Sequence, residues 1–142
     1  CDIVIAAEQA SFLQSFCKIG LIPDSGGTWL LPQLAGMARA SALMMLGEKL
    51  PAKTAAEWGL IYQAVDGKEL MEHVTAMAKH LATQPTRALG LTKRALNAAM
   101  QQGLSAQLDT EEEIQRLAGR THDFMEGVKS FLEKRSPVFT GQ

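Results

Sequence analysis

One loop of this chain places an ionisable side chain where it could do chemistry. In Pro23-Asp24-Ser25-Gly26-Gly27-Thr28, Asp24 is the one titratable group, and two consecutive glycines let a backbone or a ligand come close. Two uses are open for Asp24. An Asp just ahead of a helix commonly accepts a hydrogen bond from a first-turn amide, here one near Gly27. The same placement suits a general base held in an apolar pocket. The start of the following helix favours the carboxylate, typically by about 0.3–1 kcal/mol. Burial beside Phe12, Phe16 and Ile22 would oppose it.

Other chemistries lack their parts. His73, His80 and His122 fall at helix-surface spacing, and no His or Cys pair has the spacing of metal ligands, so no metal is expected. Cys1 and Cys17 lie in apolar stretches and read as small hydrophobes. There is no Gly-x-Gly-x-x-Gly, phosphate loop or Gly-x-Ser-x-Gly elbow. Tyr62, the single tyrosine, has no neighbour that marks it as an acid.

The composition that must position this loop is ordinary. Of 142 residues, 46% are hydrophobic and 20% charged, enough chain for one domain with its own core. Two cysteines make no disulfide framework. A net charge of -1 leaves no footprint for nucleic acid or an anionic membrane. No apolar run approaches the roughly 20 residues of a membrane span. A cytoplasmic protein without nucleic-acid or membrane partners is expected.

Periodicity divides the chain into a strand-and-loop part and a helical part. Cys1 to Ala7 reads as a strand from its first residue, and Ser11-Phe12-Leu13 as a second apolar segment beyond the turn Glu8-Gln9-Ala10. A strand opening at residue 1 without an initiator Met predicts that the chain is the C-terminal part of something longer, with no partner for that strand inside it. Helices are predicted over Trp29–Leu34, Ala38–Leu46 and Ala52–Trp58, stopped by Gly36, Gly47 and Gly59. Leu60 to Val65 is an extended segment. Asp66 and Glu69 have capping-box spacing, ahead of the stripe Leu70, Val74, Met77, Ala78 and Leu81. Pro85 suits the first turn of the next helix, whose small residues Ala88, Thr92, Ala95 and Ala99 run toward Gly103. Two more helices follow, from about Ser105 to Ala118 and from Thr121, the latter with Phe124, Val128, Phe131 and Leu132 on one face. Pro137 forbids its continuation.

Gly20-x-x-Pro23-Asp24-x-Gly26-Gly27-Thr28-x-x-Leu31 with Gly36 resembles the enoyl-CoA hydratase/isomerase (crotonase) superfamily. So do Cys1-Asp2-Ile3, Trp58-Gly59-Leu60-Ile61 and the ending Asp123-x-x-Glu126-Gly127-x-x-x-Phe131-x-x-Lys134-Arg135-x-Pro137-x-Phe139-x-Gly141. The resemblance implies an α/β fold of the crotonase/ClpP-like type. Residues 1–66 would be the C-terminal part of its β-α core with the active-site loop, and 67–142 a helical oligomerisation region forming trimers or dimers of trimers. It implies an acyl-CoA thioester substrate, with coenzyme A entering as part of the substrate and no other cofactor.

Hydratases of the superfamily carry a catalytic Glu where Phe16 falls, and usually Gly where Asp24 stands. Their second Glu and both oxyanion-hole donors would precede Cys1. The resemblance therefore implies a member that moves a double bond or rearranges the acyl group, with Asp24 as the base. Enoyl-CoA hydration or another reaction of the superfamily, or a catalytically incomplete helical assembly fragment, are the alternatives. Leu81 to Thr86 and the Lys134-Arg135-Ser136-Pro137 tail look like the branch that isomerises aromatic ring-epoxide thioesters in phenylacetate catabolism. Phe16, Gly20, Ile22, Pro23, Trp29 and Leu31 would line the acyl site, and Phe131 and Lys134 would contact coenzyme A. Core packing for Phe131 and a solvated helix face for Lys134 are the alternatives. Without its oxyanion donors the isolated chain is expected to be inactive.

Overall fold

The computed structural model describes residues 1–142, which divide into two compact units, Cys1–Val74 and Thr75–Gln142. In the first, strand β1 (Ile5–Ala7) lies parallel to β4 (Gln63–Val65), with Ile5, Ala6 and Ala7 opposite Gln63, Ala64 and Val65. The amides of Tyr62 and Glu8 extend this ladder, donating to the carbonyls of Val4 (2.9 Å) and Val65 (2.8 Å). The strand predicted from Cys1 thus starts only at Ile5, and it has a partner within the chain. Parallel pairing requires a crossover of a dozen residues or more, so the partner lies far along the sequence, where local patterning does not reveal it.

Strand β2 (Ser11–Leu13) pairs antiparallel with β3 (Lys49–Pro51), placing Phe12 opposite Leu50. β3 has no signature in the sequence. Leu50 is its one large apolar residue, between Lys49 and Pro51, and it is a strand because β2 offers it an edge. Between the pairs run α1 (Gly27–Ala35), α2 (Met37–Leu46) and α3 (Ala52–Glu57). Gly47 closes α2 in the left-handed conformation (φ 60°), where an added Cβ would fall 2.9 Å from Cys17 Sγ. Glycine is favoured there on both counts. The core of this unit gathers Leu43, Leu50, Ala52, Ala55 and Ile61, flanked by Val4, Ala6, Phe12 and Trp58.

α4 (Leu70–Ala82) begins one residue after the predicted capping box, which does not form. Asp66 Oδ1 instead accepts from the Lys68 amide at 2.8 Å, a local turn two residues long. Along α4, Leu70, Val74, Met77 and Leu81 are half-buried, while Ala78 is exposed. His73 is turned inward rather than outward as its spacing suggested, and its Nε2 is buried without a hydrogen-bond partner.

The second unit is helical, with α5 (Thr86–Ala99), α6 (Leu104–Ala118) and α7 (His122–Glu133). Gly103 opens α6 rather than closing α5, and Pro85 is the residue just outside α5. The small-residue stripe is only half right. Ala88 and Ala95 are half-buried, but Thr92 and Ala99 are exposed, and Leu91 is the buried residue of α5. Gln107 on α6 is buried as well and donates to the Ala95 carbonyl of α5 at 3.2 Å. Its own Oε1 accepts from Gln102 (2.7 Å), so a satisfied amide network ties the two helices together. α7 begins as its sequence predicts, Thr121 Oγ1 accepting from the Phe124 amide at 3.1 Å. No helix is long and apolar enough to cross a membrane.

Candidate active site

The loop that carries Asp24 follows a single 3-10 turn, Phe16–Ile19. Gly20 reverses that turn at φ 75°, and the Leu21 amide returns to the Phe16 carbonyl at 3.0 Å. The next reversal is sharper. Ser25 (φ 52°) and Gly26 (φ 82°) are consecutive residues in the left-handed region. For Ser25, which has a Cβ, this conformation is strained, and such strain persists only where the surroundings impose it.

The predicted cap by the Asp24 carboxylate is absent. Gly26 is the N-cap of α1 and no side chain caps it. The turn closes through backbone alone, the Gly27 amide donating to the Asp24 carbonyl at 2.9 Å. The carboxylate is left free of structural duty, and its Oδ1 accepts from the Ser25 hydroxyl at 3.1 Å. The physical reason is the reversal through Ser25 and Gly26, which gives the Gly27 and Trp29 amides backbone acceptors, so neither uses a side chain. Asp24 is exposed and Ile22 is 79% exposed, so the predicted burial of the carboxylate beside Phe12, Phe16 and Ile22 does not occur within the chain. Phe16, Pro23 and Leu31 are half-buried, and Gly20 and Trp29 are exposed. Pro23 packs across the loop on Gly27.

In the second unit, Phe131 is 83% exposed, which removes the core-packing reading. With Phe124, Val128 and Leu132 it borders an apolar groove of about 490 Å³, whose other walls include Ala118 and Phe139. Lys134 is not on a helix face. It is the residue that ends α7, left-handed at φ 53°.

The residues beyond it turn back along the helix and are held by two carboxylates that sequence reasoning assigned no role. Glu126 accepts from Arg135 Nη1 and Nη2 (2.6 and 2.8 Å) and from the Val138 amide (2.9 Å). Asp123, 2% exposed, accepts from the amides of Thr140 and Gly141, each at 2.8 Å. The signal available in the sequence was two acids three apart on a helix with an Arg beyond its end. Hydrogen bonds from Arg135, then from Val138, hold Glu126 at about 2, below its ordinary 4.5. The Thr140 amide, foremost, holds Asp123 below its ordinary value. Glu126 is therefore ionised in the folded tail, and its contribution is complete above pH 4.5 and is lost as pH falls toward 2; the shift of Asp123 has the same sign. Amide exchange should show the protection of Val138, which donates to Glu126, collapsing across that window while Leu91 and Ala95 of α5 stay protected. Unchanged tail protection at the acid end would exclude the carboxylate clamps.

This chain belongs to the enoyl-CoA hydratase/isomerase family, whose match covers residues 1–142. The chain is 57% identical over 141 residues to the 1,2-epoxyphenylacetyl-CoA isomerase of Escherichia coli K12, covering 99% of this chain and 54% of that protein. It is 48% identical over 141 residues to a protein of Rhodobacter capsulatus bearing an enoyl-CoA hydratase name, covering 99% of the chain and 55% of that protein. The crystal structure of an enoyl-CoA hydratase from Bacillus anthracis superposes on the chain with a TM-score of 0.95 at 34% identity, covering all of the chain and 55% of that one. The fold is accordingly the crotonase α/β fold. The chain spans about half the length of the relatives it matches.

Proposed function

We propose that the protein carrying this chain is an acyl-CoA isomerase, which shifts a double bond or rearranges an epoxy or enoyl acyl group by proton transfer through Asp24. The observation that carries the proposal is the pairing of Phe16 with Asp24. A phenyl ring at position 16 can neither hold nor deprotonate a water. The carboxylate at 24, relieved of capping by the backbone turn, is free to exchange protons. Support also comes from the 57% identity to an isomerase of a ring-epoxide thioester.

In this mechanism the Asp24 carboxylate takes a C–H proton next to the conjugated thioester. The electron pair of that bond moves toward the thioester oxygen, and the same acid returns the proton at a different carbon. Backbone N–H donors stabilise the enolate oxygen, typically by about 2.7–4 kcal/mol each. We assign those donors to the part of the relatives that this chain does not span. The acyl group would rest on Phe16, Gly20, Ile22, Pro23, Trp29 and Leu31, and the exposure of Ile22 and Trp29 leaves both available to a ligand. Phe131 and Lys134 would meet the adenine and phosphates of coenzyme A, in the same or a neighbouring chain of a trimer or a dimer of trimers. Phenylacetate or fatty-acid catabolism is the setting such a substrate implies.

Hydration is the second reading, favoured by the 48% identity to a protein bearing a hydratase name. The two separate by mass. A polypeptide with this chain at the length of its relatives, given enoyl-CoA and ring-epoxide phenylacetyl-CoA thioesters, should return a product isomeric with its substrate. A product heavier by one water would establish the hydratase instead.

A further inference from the structure

The end of α7 is built in a costly way. The Arg135 amide donates to the Ser130 carbonyl (3.0 Å) and the Lys134 amide to the Phe131 carbonyl (3.3 Å). These are the two bonds of a Schellman turn, in which the left-handed position is usually glycine. Here it is Lys134, with a side chain and φ 53°. A non-glycine residue held in this region persists only when its surroundings over-determine it, and such residues cluster at functional positions.

The surroundings do over-determine it. Arg135, the next residue, is gripped from both sides. Its Nη1 and Nη2 form a two-pronged pair with Glu126, whose side chain is only 13% exposed, and its Nε donates to Glu133 at 2.7 Å. A planar guanidinium held at three nitrogens has little freedom to rotate. Beyond it, Glu126 takes the Val138 amide and Asp123 takes those of Thr140 and Gly141, while the Asp123 amide donates to the Gln142 carbonyl at 3.0 Å. Phe139 is thereby laid against Gly127, where it forms a wall of the apolar groove that Phe131 also borders. Lys134 is exposed, so nothing within the chain accepts its ammonium in a way that would explain the strain.

We infer that Glu126 and Arg135 are positioning residues, whose pair fixes the turn that presents the Lys134 ammonium, beside Phe131, to the phosphates of a coenzyme A thioester. The inference rests on the coenzyme A contact proposed above for Lys134. A glycine would make the better turn, and the lysine is there for its charge.

The test uses the polypeptide at the length of its relatives and two substrates with the same acyl group, one on coenzyme A and one on pantetheine, which lacks the nucleotide. Lys134→Gly should raise the melting temperature, because it relieves the left-handed residue. It should also raise KM for the coenzyme A ester about tenfold, the scale of one charge-assisted hydrogen bond. Glu126→Gln should raise the same KM several-fold with kcat within about twofold. Neither substitution should move KM for the pantetheine ester. If Lys134→Gly leaves KM for the coenzyme A ester unchanged, the contact itself fails and the inference with it. If Lys134→Gly raises it and Glu126→Gln does not, the contact stands and the positioning role is overturned. Equal effects of Glu126→Gln on both esters, or a fall in kcat, would make the pair merely structural and also overturn it. Should Glu126→Gln not fold, Arg135→Lys, which keeps the charge but not the two-pronged geometry, is judged by the same outcomes.

Discussion

Asp24→Asn, in a polypeptide of the relatives' length, is expected to lower kcat for isomerisation by about 10²–10⁴-fold, the range that one positioned acid-base group contributes. The amide has nearly the carboxyl's shape and cannot exchange the proton. The turn beneath it should survive, because it closes from the Gly27 amide to the Asp24 backbone carbonyl and not to the side chain. Stability is therefore expected to change by no more than about 0.5 kcal/mol, as for a surface substitution without a structural role. Steady-state kinetics together with a urea midpoint make the separation. Near-wild-type turnover in a folded variant would reject Asp24 as the base. Loss of turnover accompanied by a large loss of stability would mean that the substitution acts on the loop instead.

Leu50→Ala should have the largest effect on stability. Leu50 is 4% exposed, at the centre of a strand whose antiparallel partner places Phe12 opposite it. It packs with Leu43, Ala52, Ala55 and Ile61. The two alanines are wholly buried and have no side-chain length with which to fill a void. Truncation therefore removes the transfer free energy of the side chain and leaves a cavity, together about 2–5 kcal/mol. Against a total of about 5–15 kcal/mol for a native protein, this is a large fraction. Denaturant unfolding should show a lower midpoint with an unchanged slope. A loss under about 1 kcal/mol would mean that β3 is not part of the core, because exposed leucines are the ones that truncate so cheaply.

The two outcomes are linked by the fold. β2 ends at Leu13, three residues before the 3-10 turn that begins the approach to Asp24, and Leu50 secures β2 from the far side. The loop itself is exposed and held by few bonds, so its geometry depends on the packed strands and helices at its ends.

Much of this was legible in residues 1 to 142 alone. The glycines at 36, 47 and 59 mark real helix ends, because a stop of this kind is a local property of the backbone. Thr121 announces α7 for the same reason. The motif around Asp24, with Phe16 ahead of it, identified the family. Tertiary structure decided what depends on distant partners. β1 finds β4 some sixty residues away, and β3 is a strand only because β2 lies beside it. The inward face of α5 is likewise a tertiary outcome: Leu91 is buried and the Ala95 carbonyl accepts from Gln107 of α6, where a small-residue stripe had suggested Thr92 and Ala99. The tail's return onto Asp123 and Glu126 is only hinted at by the two acids and the Arg beyond them, since a carboxylate on a helix surface reads as solvated until another segment brings amides to it. Local backbone preference is encoded residue by residue. Burial, pairing and the partner of a charge are decided only when the chain closes on itself.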